Sequence, residues 1–287
     1  MTISWLRNRR RAELRRLPFP AEWEAFLQAD VAIWPYLTES ERERLRGDLR
    51  IFLTEKTWEG ARGAAVDDRV RVVIAAQACL LLLGWARPHL FPNVSSVIVY
   101  PAVYRVRTTD RSGYVESVSR AHRLGEAWGG DLPVILSWRD TLAASRDEAD
   151  GHNVVLHEFA HKLDMMGGGA AGVPPLEGGD PAYEHWARVM SAEYAALRRA
   201  SYWGPEPVLD RYGATSEAEF FAVATEAFFE RPLHLLQERP QLYALLRDYY
   251  CQDTAARGRP EPFPPEEPGE PVAIAIQPLI LSSGDGG

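Results

Sequence analysis

The chain has 287 residues, 46% of them apolar and 25% charged, enough to bury a large core and ordinary for a globular protein. A formal net charge of −8 gives no general electrostatic footprint for nucleic acid, so direct nucleic-acid binding is not expected. The longest apolar stretch, Val72 to Trp85, is broken by Gln77 and is too short to cross a bilayer, so no membrane insertion is expected either.

In chain order, the only basic cluster, Arg7 to Arg16, reads as a solvated arm within residues 1–19. It runs into Leu17-Pro18-Phe19-Pro20 and not into the apolar core of a secretory signal. Residues 21–60 read as helical, with Thr38 or Ser40 capping a helix over Glu41 to Thr54. Residues 68–85 form a buried helix. The short runs Val94–Tyr100 and Leu132–Trp138 are rich in β-branched residues and bounded by Pro and Gly, which predicts strands. The second of these either exposes an edge that could take an extended peptide or is wholly buried, and the letters do not decide. Between the two runs, residues 101–130 fit a hairpin or an irregular excursion.

Asp147, Glu148 and Asp150 supply N-cap candidates and Gly167-Gly168-Gly169 a stop, which brackets a helix of about five turns. Further helices are expected over 184–202, where His185 reads as a surface or packing residue, and over 215–230 and 238–252. From Gly258 onward Pro, Gly and Glu dominate, so 258–287 reads as a disordered tail, although Val272 to Leu281 is apolar enough to dock. One domain over 20–257 is expected. Cys79 and Cys251 are far apart and form no C-x-x-C pair, which fits the cytoplasm.

The bracketed helix carries the word His157-Glu158-Phe159-Ala160-His161. Positions i and i+4 lie about 40° apart on a helix, so both imidazoles can reach one cation. Glu158, rotated by about 100°, falls beside such a cation and can take a proton from water without being a ligand. The bland alternative is two exposed histidines flanking a solvated glutamate. Val154, Val155, Leu156, Phe159, Ala160 and Leu163 argue against it, because a buried helix must give His, Glu and His a partner. Asp164 follows seven residues after His157 and either orients an imidazole from behind or faces water beside Lys162.

A catalytic zinc usually takes three protein ligands. Position 164 is Asp and position 167 is Gly, so no third histidine follows at metzincin spacing. The remaining candidates are carboxylates of a later helix: Glu217, Glu219 and Glu226. Glu219 and Glu226 are seven apart and share a face among apolar neighbours. Ser216-x-x-Glu219 is equally a capping-box pattern, in which Glu219 would turn back to the cap amide.

The runs Val97–Pro101 (VIVYP), Pro133–Trp138 (PVILSW), Asn153–Asp164 (NVVLHEFAHKLD), Gly172–Pro174 (GVP) and Tyr212–Val223 (YGATSEAEFFAV) carry a resemblance that covers residues 20 to 252. The chain resembles the MtfA family of zinc-dependent peptidases, cytoplasmic anti-repressors of the glucose phosphotransferase regulator Mlc, also called DgsA. The segment 212–222 is also similar to the catalytic domain of anthrax lethal factor, a gluzincin. The resemblance implies an α+β, mostly α, zincin-like peptidase domain with a small β-sheet next to the H-E-x-x-H helix. It implies one Zn2+ held by His157, His161 and Glu219, Glu158 as general base, and Tyr212 steadying the oxyanion. Apart from the resemblance, Asp164 and Glu226 are read from their spacing as candidates to orient the ligands from behind. The implied function is hydrolysis of peptide bonds in a peptide or protein substrate, with aminopeptidase action as its narrower form, and an Mlc-type repressor as a further partner. A protein that mainly sequesters a repressor, and a non-peptidase zinc hydrolase, are the competing readings.

Overall fold

The computed structural model describes residues 2–86, 89–102, 133–146, 151–200 and 208–259. Three short strands, β1 (Thr57–Gly60), β2 (Ser96–Tyr100) and β3 (Val134–Ser137), form a parallel sheet in the order β1-β2-β3. Val97 lies opposite Val134 and Val99 opposite Leu136. These four side chains are buried while their neighbours along each strand are half-buried, the period-two alternation of a sheet with one face on the core. Parallel neighbours need a crossover, and between β1 and β2 it contains α4 (Asp68–Leu80). Among the described residues most of the remaining structure is helical, so the fold is α+β and mostly α.

Ahead of the sheet lie α1 (Thr2–Arg16), α2 (Ala21–Asp30) and α3 (Glu39–Glu55). Thr38, one of the two expected caps, starts α3 with a full capping box: its hydroxyl accepts from Glu41 N and Glu41 reaches back to its amide at 2.8 Å. The basic segment expected as a solvated arm is instead helix α1, packed on α3. Arg11 holds Glu55 through two bonds of 2.8 and 2.6 Å, and Arg15 holds Asp48 at 2.6 Å. Arg11 and Arg15 are one turn apart and so share the side facing α3, where Arg11 is half-buried, while Arg9, Arg10 and Arg16 are exposed.

α4 ends sooner than the apolar run suggests. Gly84 lies so close to the carbonyls of Tyr250 and Cys251 that a Cβ there would collide with both, and the chain turns over residues 81–84 to make that approach. The excursion expected over 101–130 lies, from residue 103 on, outside the described residues. Beyond β3, no helix was expected before the one that carries the histidines. The structure instead places α5 (Trp138–Arg146) there, beginning at the residue read as the strand's last.

Then follow α6 (Val154–Met165), α7 (Asp180–Ala200), α8 (Glu217–Glu230), α9 (Pro232–Glu238) and α10 (Pro240–Tyr250). The expected helix 238–252 is confined to α10 by Pro240, which forces Arg239 out of the helical region, and α9 had no counterpart in the expectation. α8 is buried at nearly every position from Phe220 onward. α6 packs between α8 and the sheet. Its Phe159 meets Phe91 at 4.7 Å and Phe52 of α3 at 5.7 Å in edge-to-face contacts, and burying such a ring stabilises by roughly 2–3 kcal/mol. Of the expected tail, only Gly258 and Arg259 are described. Among the described residues no helix is long and apolar enough to cross a membrane.

Candidate metal centre

α6 is shorter than the bracketing letters suggest, twelve residues instead of about five turns. Asp147, Glu148 and Asp150 lie outside the described residues, and the cap is Asn153, whose side-chain oxygen accepts from Val155 N and Leu156 N at 3.1 Å each. The signal was in the sequence: Asn directly before an apolar run is an N-cap pattern. At the other end, Asn93 Nδ2 donates to Lys162 O at 2.8 Å. Both ends of the helix are therefore tied to the body of the protein.

His157 and His161 project from one face of α6 toward α8. Glu219 Oε2 lies 3.0 Å from His157 Nε2 and 3.3 Å from His161 Nε2, and the two nitrogens are 3.2 Å apart. A tetrahedron whose corners lie about 2.0–2.1 Å from its centre has edges of roughly 3.3–3.4 Å, so this triangle matches one face of a four-coordinate zinc site. The chemistry of the atoms agrees. Glu226 Oε2 sits 2.9 Å from His157 Nδ1, so in a neutral ring the proton is on Nδ1 and a lone pair on Nε2. With both rings neutral and protonated on Nδ1, three acceptor atoms face one another at hydrogen-bond range, and a cation satisfies all of them.

The local charges respond to this crowding. Burial acts first on His157 and would lower its pKa, but the charge of Glu226 and the bonds to Glu219 and Glu226 lift it well above the ordinary histidine value. Burial would raise Glu219, yet its bonds to His157 and His161 hold it far below the usual carboxylate range. Glu158 is buried on the same helix and is not one of the three ligand atoms' owners; burial pushes its carboxyl up, opposed by the nearby histidines.

Glu219 also settles its capping-box alternative. Ser216 Oγ does accept from Glu219 N at 3.2 Å, but the Glu219 carboxylate turns to the imidazoles and not to the cap amide. Glu217 is exposed in the first turn. Tyr212 lies in the short 3-10 turn Arg211–Ala214, fixed by its amide donating to Asp210 Oδ1 at 2.7 Å, and its ring centroid is 6.2 Å from that of His157. Asp210, which starts this turn and also meets His152 at 3.3 Å, was not singled out from the sequence, although Asp is a common cap residue.

A family model described as glucose-regulated metallo-peptidase M90 matches residues 4–251. The chain belongs to the M90 metallo-peptidase family. It is 39% identical over 249 residues to protein slr2042 of Synechocystis sp., covering 86% of this chain and 89% of the relative. It is 32% identical to Mlc titration factor A of Salmonella agona over 78% of this chain and 83% of that protein, and 31% identical to that of Serratia proteamaculans over 83% and 89%.

Two further acidic residues of this M90 chain take different places. Glu226 stands directly behind His157, as described. Asp164, fully buried, neither faces water nor spends its oxygens on an imidazole: Oδ2 accepts from Gly172 N at 2.8 Å and Oδ1 from Val173 N at 2.7 Å. It ties the loop after α6 back onto the helix. His185 is exposed on α7 and bonds Arg188 at 2.6 Å, apart from the cluster of His157, His161 and Glu219.

Proposed function

We propose that the chain is a zinc-dependent peptidase, and the observation that carries this reading is the triangle of His157 Nε2, His161 Nε2 and Glu219 Oε2 with edges of 3.0–3.3 Å. A metallopeptidase family implies a metal, and two imidazoles with one carboxylate form a donor set typical of catalytic zinc. When bound, one zinc ion supplies Lewis-acid polarisation of a scissile carbonyl and acidifies water. Glu158 then takes the proton of the attacking water and passes it to the leaving amine, a role that suits a carboxyl raised by burial. Tyr212 donates its hydroxyl to the developing oxyanion. Glu226 keeps the His157 proton on Nδ1 so that Nε2 stays a ligand.

The test is E158Q, which keeps the acceptor shape and removes the base. Zinc retained at wild-type affinity with turnover of a fluorogenic peptide lost supports the assignment, and wild-type rates in the variant sink it. The same peptide with a free or an acetylated amino end separates aminopeptidase from endopeptidase action.

A second reading has its own support. Relatives named Mlc titration factor A, at 31–32% identity, align with about four-fifths of this chain, which favours binding of an Mlc-type repressor in the cytoplasm. Capture of such a repressor by wild type and E158Q alike would make that interaction independent of hydrolysis. Capture by neither would remove the reading.

A further inference from the structure

We propose that Asn153 is a positioning residue of the metal centre, acting through Glu226 on His157 and held in place by Gln77 and Glu230. The inference rests on the peptidase reading only in requiring a metal at His157, His161 and Glu219.

Asn153 uses every hydrogen-bonding group it has. Its side-chain oxygen accepts from Val155 N and Leu156 N, while Nδ2 donates to Gln77 Oε1 at 2.7 Å and to Glu230 Oε1 at 2.9 Å. Its carbonyl accepts from His157 N at 2.9 Å, and its own N–H donates to Glu226 Oε1 at 2.7 Å. The other oxygen of Glu226 is the one bound to His157 Nδ1. Asn153 thus reaches His157 twice, through the backbone and through the carboxylate that selects the ring's tautomer.

The amide orientation is fixed by chemistry, since two N–H groups face its oxygen and two acceptors face its nitrogen. Gln77 is oriented likewise. Its Nε2 donates to Val73 O at 3.2 Å, which leaves Oε1 for Asn153. Gln77 is the polar interruption in the apolar run Val72–Trp85, and a buried amide on such a helix is costly unless bonded. Its bond to Asn153 couples α4 to the start of the metal helix.

A helix cap alone does not require this arrangement. Asp and Ser cap about as well as Asn, but neither offers two donors while accepting from two amides. N153D therefore separates the roles: the cap survives, while the introduced carboxylate oxygen meets Gln77 Oε1 and the Glu230 carboxylate. Relief of that repulsion must shift residue 153, and with it the amide that holds Glu226.

The experiment measures zinc affinity of the full chain by chelator competition and the visible spectrum of the cobalt(II) form. N153D is expected to lose about 10–100-fold in affinity and to change the cobalt spectrum, with the far-ultraviolet circular dichroism of the metal-free protein retained. E230Q alone should stay near wild type, and N153D/E230Q should recover most of the loss, because the new amide gives the carboxylate a donor. Affinity within about twofold of wild type in N153D, or a double variant no better than N153D, overturns the role. Should N153D fail to fold, Q77M carries the test, since it removes one acceptor and leaves the cap: loss of affinity supports the role and wild-type affinity refutes it. A wild-type chain that binds no zinc removes the peptidase reading and this role together, whereas metal binding that is equal in wild type and N153D removes only this role.

Discussion

Gly172 joins the loop after α6 to the start of α8, and G172A tests whether that junction controls the metal site. The residue sits at φ +72, a region where an L side chain costs roughly 1–2 kcal/mol. A Cβ there would stand 2.5 Å from the carbonyl oxygen of Glu217, so about 0.9 Å of separation is needed to restore ordinary contact. Neither side can give it freely. The Gly172 N–H is held by Asp164 at 2.8 Å and its carbonyl by Trp186 Nε1 at 2.9 Å, both in buried surroundings. Moving the loop breaks these, at about 1–3 kcal/mol for a buried group left unpaired. Moving α8 displaces its first turn, in which Glu219 stands two residues after Glu217.

The expected destabilisation is therefore about 3 kcal/mol, or roughly 6–12 °C in Tm for a domain of this size. If α8 yields, zinc affinity falls as well, because the 3.0 and 3.3 Å separations of Glu219 from the histidines do not survive a displacement of that order. Thermal melts in excess chelator report the first effect and chelator competition the second. A G172A protein melting within about 2 °C of wild type with unchanged zinc affinity would refute the reasoning.

Y212F removes a hydroxyl but no ligand, so zinc affinity should hold while peptide turnover falls by about 10²–10³, as for other oxyanion donors; unchanged kcat rejects the role. Chelation of the metal should lower Tm, reflecting the loss of about 4 kcal/mol of stability if zinc had been present at about a thousand times its Kd, and E219A should abolish the difference between chelated and zinc-loaded melts. Asp30 is held below the ordinary aspartate value by hydrogen bonds from Arg69, against the cost of burial, and then by Arg146. Its folded pKa is depressed, so its contribution is present above the unfolded value of about 3.9 and is lost as pH falls through the folded one. Urea titrations should show the gap between wild type and D30N narrowing as pH falls below the unfolded value, and a gap independent of pH contradicts the pairing.

The residues legible in the sequence were those whose chemistry conflicts with their neighbours. His157, Glu158 and His161 stood out because polar groups on an apolar helix need a partner, and Gln77 interrupted an apolar run for a related reason. Strands β2 and β3 were readable from β-branched composition. What stayed hidden depended on partners far away in sequence. Arg11 and Arg15 look like solvent-facing charges until Glu55 and Asp48 of α3 are placed opposite them. Asp164 gave two local readings, and its actual partners are amides eight and nine residues on, in a loop whose path no periodicity encodes. Glu219 read equally as cap and ligand because Ser216 does cap that amide; only the course of α8 beside α6 directs the carboxylate to the histidines.

Glu158 bears on the choice between a hydrolase and a protein that only binds a partner. Its carboxyl is buried beside the ligand triangle without belonging to it, and burial raises its pKa, so ionising it in the fold is less favourable than in water. A raised carboxylate pKa means that the charged form weakens the fold above that pKa, an expense with no structural return if the site were only a scaffold. E158Q keeps the shape and removes the charge, so in metal-free protein near pH 7 it should gain stability, within the ~0.5–2 kcal/mol common for stabilising substitutions at sites kept for activity. Urea unfolding of the chelated wild type and variant measures the difference. A loss of stability would show instead that Glu158 serves as a partner for the buried Lys162 four residues on, whose charge acts on it, and would weaken the case for it as the base.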